Sequence, residues 1–348
     1  MKFRFVLSLA LLSLLSTAGM AQTFPKTHLK VVGGLSNLST YNDYEKPFWT
    51  NVVPSLTNGQ VTADIKGFNE MGLKGPEVLR LMSQGVIEFG TATLSYFASD
   101  NPINEAVDLA GLTLDAQSAR AVVDAFEPIY AKFYGPGSGI KLLGLSPYGA
   151  QVLFCNAEIK GLADIKGKKV RTSSRTQAEF VEALGGASVT MAFGEVVPAM
   201  QNKVVDCAIT GALSGYSAKW YEVSTHLYSL PINWNPQIHG VNQKAWAKLD
   251  PKVQTFLETN IRSMVSKVWD AAAAQTQQGY DCNTGAAACP HPVKGKMILV
   301  QPNDADRALL KKIMQEQVLP KWAARCSASC VQDFNATIGK VTGLTAKK

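Results

Sequence analysis

Histidine is scarce in this chain of 348 residues. The four histidines, at positions 28, 226, 239 and 291, are too few and too widely separated to predict a metal centre or a catalytic triad. The sequence also has no G-x-S-x-G and no H-E-x-x-H motif. The segment G-L-A-D-I-K-G-K-K at 161–169 resembles a phosphate-binding loop, but its second glycine falls one residue late and Lys169 stands where serine or threonine is required. These absences disfavour enzymes, and we expect no metal or cofactor.

Long runs of one charge are absent too. The 34 basic and 27 acidic residues are interspersed, and the formal net charge is +7. Basic pairs at 168–169, 311–312 and 347–348 do not extend into a block, and no aromatic platform alternates with them. This pattern disfavours nucleic-acid binding. A mild positive field instead favours small anions as ligands.

After the N-terminus, no apolar run approaches the ~18 residues of a membrane-spanning helix. The N-terminus itself has Lys2 and Arg4, an apolar run over 5–15 and small residues up to Ala21. This order predicts a cleaved signal peptide over residues 1–21. We therefore expect an exported protein that is not embedded in the membrane.

Six cysteines in an exported chain indicate disulfides. Cys282 and Cys289 enclose a short flexible linker, as do Cys326 and Cys330, so we expect local pairing, with cross-pairing as the alternative. The second bridge requires a helix to end near Cys326, because i,i+4 cysteines inside a helix are poorly placed for a disulfide. Two further cysteines in apolar strand-like runs suit free thiols or one buried bridge equally well; they are Cys155 and Cys207. A zinc site built on Cys282, Cys289 and His291 is disfavoured.

Strand and helix patterns alternate along the chain in two successive blocks, which predicts an α/β fold with largely parallel sheets. We expect a first lobe over 22–148 plus 238–277 and a second lobe over 149–237 plus 278–348. Asp250-Pro251 opens a long helix that is predicted to run to about Gln278. Two such lobes leave a cleft, and open parallel sheets bind ligands at the carboxyl ends of their strands.

The segment K-G-K-K-V-R-T-S-S-R at 166–175 carries five basic side chains. Arg171 ends a short strand and is followed by small hydroxyl residues, including Ser174, that lead into a helix beginning near Gln177. A guanidinium in this position matches a carboxylate with two parallel hydrogen bonds. The alternative is an arginine at the surface. The other four cations are expected to face water; they are Lys166, Lys168, Lys169 and Arg175.

Aromatic side chains near strand ends are further candidates. Phe193, Trp234 and Tyr96 each suit the core or a ligand contact, and Trp234 lies in the loop-like N-W-N-P-Q. Among the histidines, only His239 falls near a candidate site.

Several ordered segments carry a resemblance to a known family. These are P-S-L-T-N-G-Q-V-T-A-D-I (54–65), S-Q-G-V-I-E-F-G (83–90), G-L-A-D-I-K-G-K-K-V-R (161–171), E-A-L-G-G-A-S-V-T-M-A-F-G-E-V-V-P-A-M-Q-N-K-V-V-D (182–206) and W-A-K-L-D-P-K-V-Q (246–254). In this order they resemble the DctP-like substrate-binding proteins of tripartite ATP-independent periplasmic (TRAP) transporters, and the similarity covers most of the mature chain. The resemblance implies a periplasmic binding protein fold whose two α/β lobes are joined by crossing strands and a long helix.

The resemblance also implies a site and a function. The family's carboxylate-binding arginine falls on Arg171, its cleft aromatic on Phe193, and two ligand-facing positions on Thr210 and Asn235. Sugar-acid binders carry an arginine at Gln151 and an acidic residue at Thr93, so this chain is expected to bind a smaller monocarboxylate, such as a 2-oxo, 2-hydroxy or aromatic acid. The implied role is delivery of that acid to a TRAP permease. A ligand-presenting receptor for a sensor kinase and an exported α/β enzyme are the alternatives.

Overall fold

The computed structural model describes residues 23–348, so the predicted signal peptide at 1–21 lies outside the described part. The described residues form two β-sheets with helices packed on them, and the α/β prediction is confirmed. Within 23–348, no helix combines the length and the apolar character needed to cross a bilayer.

The first sheet is the centre of the first lobe and has the strand order β2-β1-β3-β10-β4. Its strands are β1 (Thr27–Gly33), β2 (Val61–Gly67), β3 (Phe89–Thr93), β4 (Ile140–Pro147) and β10 (Pro236–Asn242). β1 is parallel to β2 and β3, whereas β10 is antiparallel to both of its neighbours. Every residue of β3 and β10 is buried, as expected for strands in the middle of a covered sheet.

The second sheet is the centre of the second lobe and has the strand order β11-β9-β5-β8-β6-β7. Its strands are β5 (Gln151–Cys155), β6 (Lys169–Thr172), β7 (Ala187–Thr190), β8 (Cys207–Gly211), β9 (His226–Asn233) and β11 (Ile298–Val300). The chain passes from the first sheet to the second between β4 and β5, and it returns between β9 and β10. These two passages are the predicted crossing strands.

Twelve α-helices cover the two sheets within the described residues. They are α1 (Val53–Leu56), α2 (Pro76–Ser83), α3 (Ala116–Phe133), α4 (Arg175–Ala183), α5 (Val196–Gln201), α6 (Ala212–Ser217), α7 (Gln243–Ala247), α8 (Pro251–Thr284), α9 (Asp304–Ile313), α10 (Leu319–Arg325), α11 (Ala328–Ala336) and α12 (Ile338–Thr342). Short helical turns add to them at Thr40–Glu45, Phe48–Val52, Phe68–Met71, Leu94–Phe97, Pro102–Glu105, Leu162–Ile165, Phe193–Glu195, Trp220–Glu222 and Met314–Val318.

The long helix α8 connects the two lobes. Asp250 caps its first turn by accepting a hydrogen bond from the backbone N–H of Lys252 at 2.8 Å, and Pro251 follows as predicted. The helix ends at Thr284, six residues beyond the predicted Gln278, because the following Gly285 takes a left-handed conformation with φ of 82°. It packs on β4 of the first sheet and on α6 and β9 of the second lobe.

Three disulfides use all six cysteines. The two local bridges, Cys282–Cys289 and Cys326–Cys330, are present, and α10 ends at Arg325 as required, so that the second bridge joins the C-cap of α10 to the first turn of α11. Cys155 and Cys207 are paired across β5 and β8. With both thiols bonded, Cys282 and Cys289 have no thiolate for zinc.

The C-terminal helices touch both lobes. α9 packs on α4 of the second lobe, whereas α11 and α12 pack on α3 of the first. Pro320 stands near the start of α10, where a missing backbone N–H is tolerated. The stapled tail therefore covers one side of the junction between the lobes.

Candidate functional site

A small pocket lies between the two sheets, with about 290 Å³ of empty space when the part open to solvent is included. Both lobes and both crossing passages contribute to its wall, which is formed by Leu35, Leu38, Thr93, Tyr96, Tyr148, Gln151, Arg171, Ser173, Phe193, Thr210, Ser214 and Asn235. Seven of the nine residues predicted for the site line it. Trp234 and Ser174 do not.

Arg171 lies in the wall that the second lobe contributes, and only 1% of its surface is exposed. It sits on β6, between β7 and β8, so its neighbours on both sides present backbone carbonyls. Nε and one terminal nitrogen donate to Met191 O at 3.2 and 3.0 Å, and the other terminal nitrogen donates to Ile209 O at 2.7 Å. A guanidinium has five N–H donors. One N–H on each terminal nitrogen therefore remains for a ligand.

The charge of Arg171 has no carboxylate partner within salt-bridge distance in the described part of the chain. Burial lowers the pKa of Arg171 to about 10, and Tyr96 and Glu195 oppose this shift. The side chain is still a cation at neutral pH. The site thus holds a buried positive charge that two lobes enclose and that no protein anion neutralises.

Aromatic rings support this guanidinium. The Arg171 Cζ atom lies 5.9 Å from the centre of the Trp220 ring. Trp220 in turn stacks on Phe193, with 5.4 Å between ring centres and an interplanar angle of 24°. Phe193 lines the cavity and Trp220 is fully buried behind it. The stack fixes the arginine in place and gives the cavity an apolar wall.

Polar side chains from both sheets complete the wall. Gln151 and Thr210 are on adjacent strands β5 and β8, and Thr93 ends β3 opposite Gln237 of β10. Gln151 Nε2 donates to Gly149 O at 3.0 Å, which leaves its amide oxygen free of that contact. These three residues are at most 5% exposed. They can therefore orient a small polar ligand without exposing it to solvent.

Asp108 organises the passage between β9 and β10, and sequence reasoning missed it. Its Oδ1 accepts the backbone N–H groups of Trp234 and Asn235 at 2.8 and 2.9 Å. Its Oδ2 accepts from Asn233 Nδ2 at 2.7 Å. Asn235 has a positive φ of 51°, a conformation that asparagine tolerates better than most residues. Burial raises the pKa of Asp108 to about 7, although these hydrogen bonds oppose the rise.

Asp108 also explains the position of Trp234. The backbone N–H of Trp234 points to the carboxylate, and the side chain is 4% exposed within the core rather than in the cavity wall. Asn235, the next residue, lines the cavity and accepts a hydrogen bond from Ser95 at 3.4 Å.

Ser173 rather than Ser174 faces the cavity. Ser174 is the N-cap of α4 and accepts a hydrogen bond from the backbone N–H of Gln177 at 3.3 Å. Helix α4 therefore begins two residues before the predicted Gln177. Gln177 Oε1 accepts from both the backbone and the hydroxyl of Ser173, and its Nε2 donates to Asn233 at 2.9 Å. This relay connects the end of β6 with the passage that Asp108 holds.

Of the five basic residues at 166–175, Arg171 is the one in the cavity wall. Lys166 and Lys169 are exposed and Lys168 is half-buried. The side chain of Arg175 is 65% exposed and lies 3.6 Å from Glu179. His239 is also away from the cavity: it is buried in β10, with Thr91 at 3.1 Å and Ser146 at 2.8 Å from its ring nitrogens. Burial lowers its pKa to about 4, as expected for a neutral core histidine.

Four further lining residues were not predicted: Leu35, Leu38, Tyr148 and Ser214. Tyr148 precedes Gly149 and Gln151 in the first passage, so its position next to a predicted site residue was the signal available.

An ion pair joins the two lobes at the mouth of the cavity. Lys74 Nζ of the first lobe donates to Glu195 Oε1 of the second lobe at 3.0 Å, and both side chains are at least half exposed. Tyr96 lines the cavity and also the clefts on both sides of this pair. The lobes are thus closed over the cavity.

Comparison with known proteins gives a family match and several similar structures. The model of the DctP family, described as bacterial extracellular solute-binding protein, family 7, matches residues 36–320. The 2,3-diketo-L-gulonate-binding periplasmic protein YiaO of Escherichia coli is 26% identical over 175 residues. That match covers 50% of this chain and 53% of the relative, so the chain spans about half the length of this curated relative.

Two solved structures share the fold. A TRAP periplasmic solute binding protein from Desulfovibrio salexigens with bound orotic acid has a TM-score of 0.79 and 20% identity, covering 90% of this chain and 99% of that one. DctP7, a Bordetella pertussis extracytoplasmic solute receptor binding pyroglutamic acid, has a TM-score of 0.77 and 19% identity, covering 89% and 98%. At these identities the likeness shows the two-lobed fold.

Proposed function

The chain belongs to the DctP family of bacterial extracellular solute-binding proteins, and we propose that it captures a small organic monocarboxylate and delivers it to a TRAP membrane permease. The family consists of transport receptors rather than enzymes, and its members work in the periplasm. Export of this chain through the signal peptide at 1–21 is part of the proposal.

The observation that carries the proposal is the unneutralised charge of Arg171. Burying a cation costs several kcal/mol unless an anion compensates it. Here three of its N–H groups meet backbone carbonyls, and one N–H on each terminal nitrogen is left for the cavity. A carboxylate accepts two parallel hydrogen bonds from such a fork. At about 1.5–3 kcal/mol for each charge-assisted bond, this contact supplies a large part of the ~8 kcal/mol that micromolar binding requires.

The rest of the wall supports a small ligand with one carboxylate. The cavity is small and is lined by one guanidinium, so a second carboxylate would lack a counter-charge. Gln151, Thr210 and Asn235 can bond the remaining oxygens, and Phe193 excludes water. Similar proteins are described as binding 2,3-diketo-L-gulonate, orotic acid or pyroglutamic acid, each of which is a carboxylic acid. We propose a 2-oxo, 2-hydroxy or aromatic monocarboxylate for this chain.

Closure follows from the same geometry. Arg171, Gln151 and Thr210 belong to the second lobe, whereas Thr93 and Tyr96 belong to the first. A ligand can contact both sets only when the lobes are closed, so binding favours the closed state.

Arg171→Lys tests the proposal. Lysine keeps the charge but cannot reproduce the planar fork, so affinity for the acid should fall more than tenfold while the protein stays folded. The ligand is first identified by native mass spectrometry of freshly purified protein and a thermal-shift screen of carboxylates. Calorimetry then compares the variant with the original protein, and circular dichroism checks folding. Unchanged affinity in a folded variant would remove Arg171 from the site.

A further inference from the structure

A continuous chain of hydrogen bonds joins two residues of the cavity wall, Asn235 and Ser173. At one end, the backbone N–H groups of Trp234 and Asn235 donate to Asp108 Oδ1 at 2.8 and 2.9 Å. The other carboxylate oxygen, Asp108 Oδ2, accepts from Asn233 Nδ2 at 2.7 Å. Asp108 thus uses both oxygens as acceptors.

The chain continues into the second lobe through Gln177 of α4. Asn233 Oδ1 accepts from Gln177 Nε2 at 2.9 Å. Gln177 Oε1 accepts the backbone N–H of Ser173 at 2.8 Å and the hydroxyl of Ser173 at 3.1 Å. Since Asp108 precedes α3 of the first lobe, the chain connects the two lobes.

Both ends of this chain are fixed donors, because a backbone N–H cannot act as an acceptor. Each side-chain amide has one donor end and one acceptor end. If only amides stood between two donors, one contact would always bring a donor against a donor, whichever way each amide was turned. One group that only accepts removes that contact. The ionised carboxylate of Asp108 is that group in this chain.

Burial prevents water from relieving a mismatch in the chain. The side chains of Asp108, Asn233 and Gln177 are at most 5% exposed. Every terminal oxygen and nitrogen atom of these three side chains has a partner within the chain. A buried network that is fully satisfied is rigid, whereas a donor that faces a donor carries the desolvation cost of an unpaired group.

We propose that Asp108 is a positioning residue of the binding site. Its carboxylate sets the orientation of the two amides and thereby fixes Asn235 and Ser173 in the cavity wall. Asn235 needs such support because its φ is 51°, a sparsely populated conformation. The inference rests on the proposed function for its ligand, but the state of the chain can be measured in the empty protein.

Asp108→Asn breaks the chain with the smallest change of shape. The new amide oxygen can still accept the two backbone N–H groups, so the new nitrogen faces the nitrogen of Asn233. Turning the Asn233 amide moves the mismatch to Gln177, and turning the Gln177 amide moves it to the backbone N–H of Ser173. The mismatch therefore stays in the chain.

Asp108→Asn combined with Asn233→Asp moves the carboxylate one position along the chain. The carboxylate at position 233 accepts from the amide at position 108 and from Gln177 Nε2, so every hydrogen bond is kept and one is reversed in direction. Asp108→Asn combined with Gln177→Glu does the same at the next position. These two double variants should restore what Asp108→Asn loses, and the second serves if the first does not fold.

Hydrogen exchange in the empty protein tests the chain directly. Burial raises the pKa of Asp108 to about 7, so the measurement is made at pH 8, where its carboxyl is ionised. Asp108→Asn should speed exchange of the backbone N–H at Ser173, at Asn235 or at both by at least tenfold, as measured by NMR. The double variants should return these rates to within about threefold of the original. Unchanged rates at both ends in Asp108→Asn overturn the proposal.

Affinity distinguishes positioning from structural support. Pyruvate, lactate and benzoate represent the three proposed kinds of acid, and calorimetry at pH 8 uses the one that the original protein binds most tightly. Asp108→Asn should weaken binding at least fivefold, and a double variant should restore it to within about twofold. Unchanged affinity in Asp108→Asn with only a lower melting temperature would make Asp108 a structural residue and overturns the proposal. Double variants that fold but bind as weakly as Asp108→Asn overturn it too.

Asp115→Asn is the matched control. Asp115 caps α3 outside the chain by accepting the backbone N–H of Ser118 at 2.8 Å, and asparagine is an equally good N-cap residue. Affinity and hydrogen exchange at Ser173 should therefore stay as they are in the original protein.

The two tests separate this role from the proposed function. Loss of binding in Arg171→Lys, together with normal binding in Asp108→Asn, would keep the receptor and reject the positioning role. If none of the three acids binds the original protein, the proposed ligand class fails, and hydrogen exchange still decides whether Asp108 fixes the cavity wall.

Discussion

Two arginines at the junction of the lobes are largely buried, but only one of them is paired with carboxylates. Arg325, at the end of α10, contacts Glu105 Oε2 at 3.0 Å and also bonds Glu179 Oε1. Arg171 meets only backbone carbonyls and an aromatic ring. Glu105 lies in the turn at Pro102–Glu105 before α3, whereas Glu179 is on α4 of the second lobe, so Arg325 connects three parts of the chain.

The difference teaches how to distinguish a structural cation from a binding cation. The charge of Arg325 is neutralised inside the molecule, and its removal would leave the carboxylate of Glu105 alone and that of Glu179 with only the exposed Arg175. The charge of Arg171 is available to a ligand, and removal of the Arg171 side chain would leave no unpaired ion in the protein. Burial alone does not separate the two roles, but the presence or absence of a carboxylate partner does.

The largest expected effect is on folding stability. Arg325→Met should lower the free energy of unfolding by about 3–5 kcal/mol, because it leaves the buried Glu105 without a counter-charge and Glu179 with only the exposed Arg175. Arg171→Met should lower it by less than about 2 kcal/mol, since only the carbonyls of Met191 and Ile209 lose a donor and a buried charge is removed as well. Urea unfolding of both variants at neutral pH measures the two losses. Equal losses would contradict the distinction.

A smaller effect is expected from pH, and it should appear in only one of the two variants. Burial raises the pKa of Glu105 and of Glu179, and Arg325 holds both pKa values down. Without Arg325 both pKa values should rise further. A carboxyl whose pKa is higher in the folded state contributes stability at low pH that is lost as the pH rises through the folded-state value.

When the pH is lowered from 8 to 5, the free energy of unfolding of Arg325→Met should therefore rise by about 1–3 kcal/mol relative to that of the original protein. The loss of free energy of unfolding in Arg171→Met should be the same at both pH values, because Arg171 is not paired with a carboxylate whose pKa could rise. Urea unfolding at the two pH values makes the comparison. A loss in Arg325→Met that is independent of pH would mean that the two carboxylates are solvated.

The smallest effect is expected at the exposed pair of Lys74 and Glu195, which also joins the lobes. Lys74→Met should weaken ligand binding less than about fivefold, and the difference should vanish in high salt, because exposed ion pairs are weak and screened. Calorimetry at two ionic strengths measures this. A larger effect that persists in salt would place the pair among the determinants of closure.

Arg171 was predictable from the sequence because its signal is local. A short strand, small hydroxyl residues and an amphipathic helix follow one another within about fifteen residues, and this order places the arginine near the carboxyl end of the strand. The crossing strands, α8 and the two short-range disulfides have local signals of the same kind: runs of apolar residues, an Asp-Pro helix start and close cysteine spacing.

Asp108 and Tyr148 were not predictable in this way. Asp108 meets Asn235 across 127 positions in the sequence, and nothing near it in the chain indicates that partner. Tyr148 enters the cavity wall from the passage between β4 and β5, and only the placement of both lobes around that passage shows this. Trp234 illustrates the opposite case: its loop-like surroundings favoured a ligand contact, but its ring is 4% exposed in the core and does not line the cavity.

The position of β10 has a consequence for how the molecule is made. β10 lies between β3 and β4, so these earlier strands never pair with each other. The ribosome produces the chain from its N-terminus. The facing edges of β3 and β4 therefore have no hydrogen-bonding partner until β10 has been synthesised, which is complete at residue 242 of 348. A nascent chain of this protein therefore carries open strand edges at β3 and later at β4, where another chain could pair, until β10 has been made.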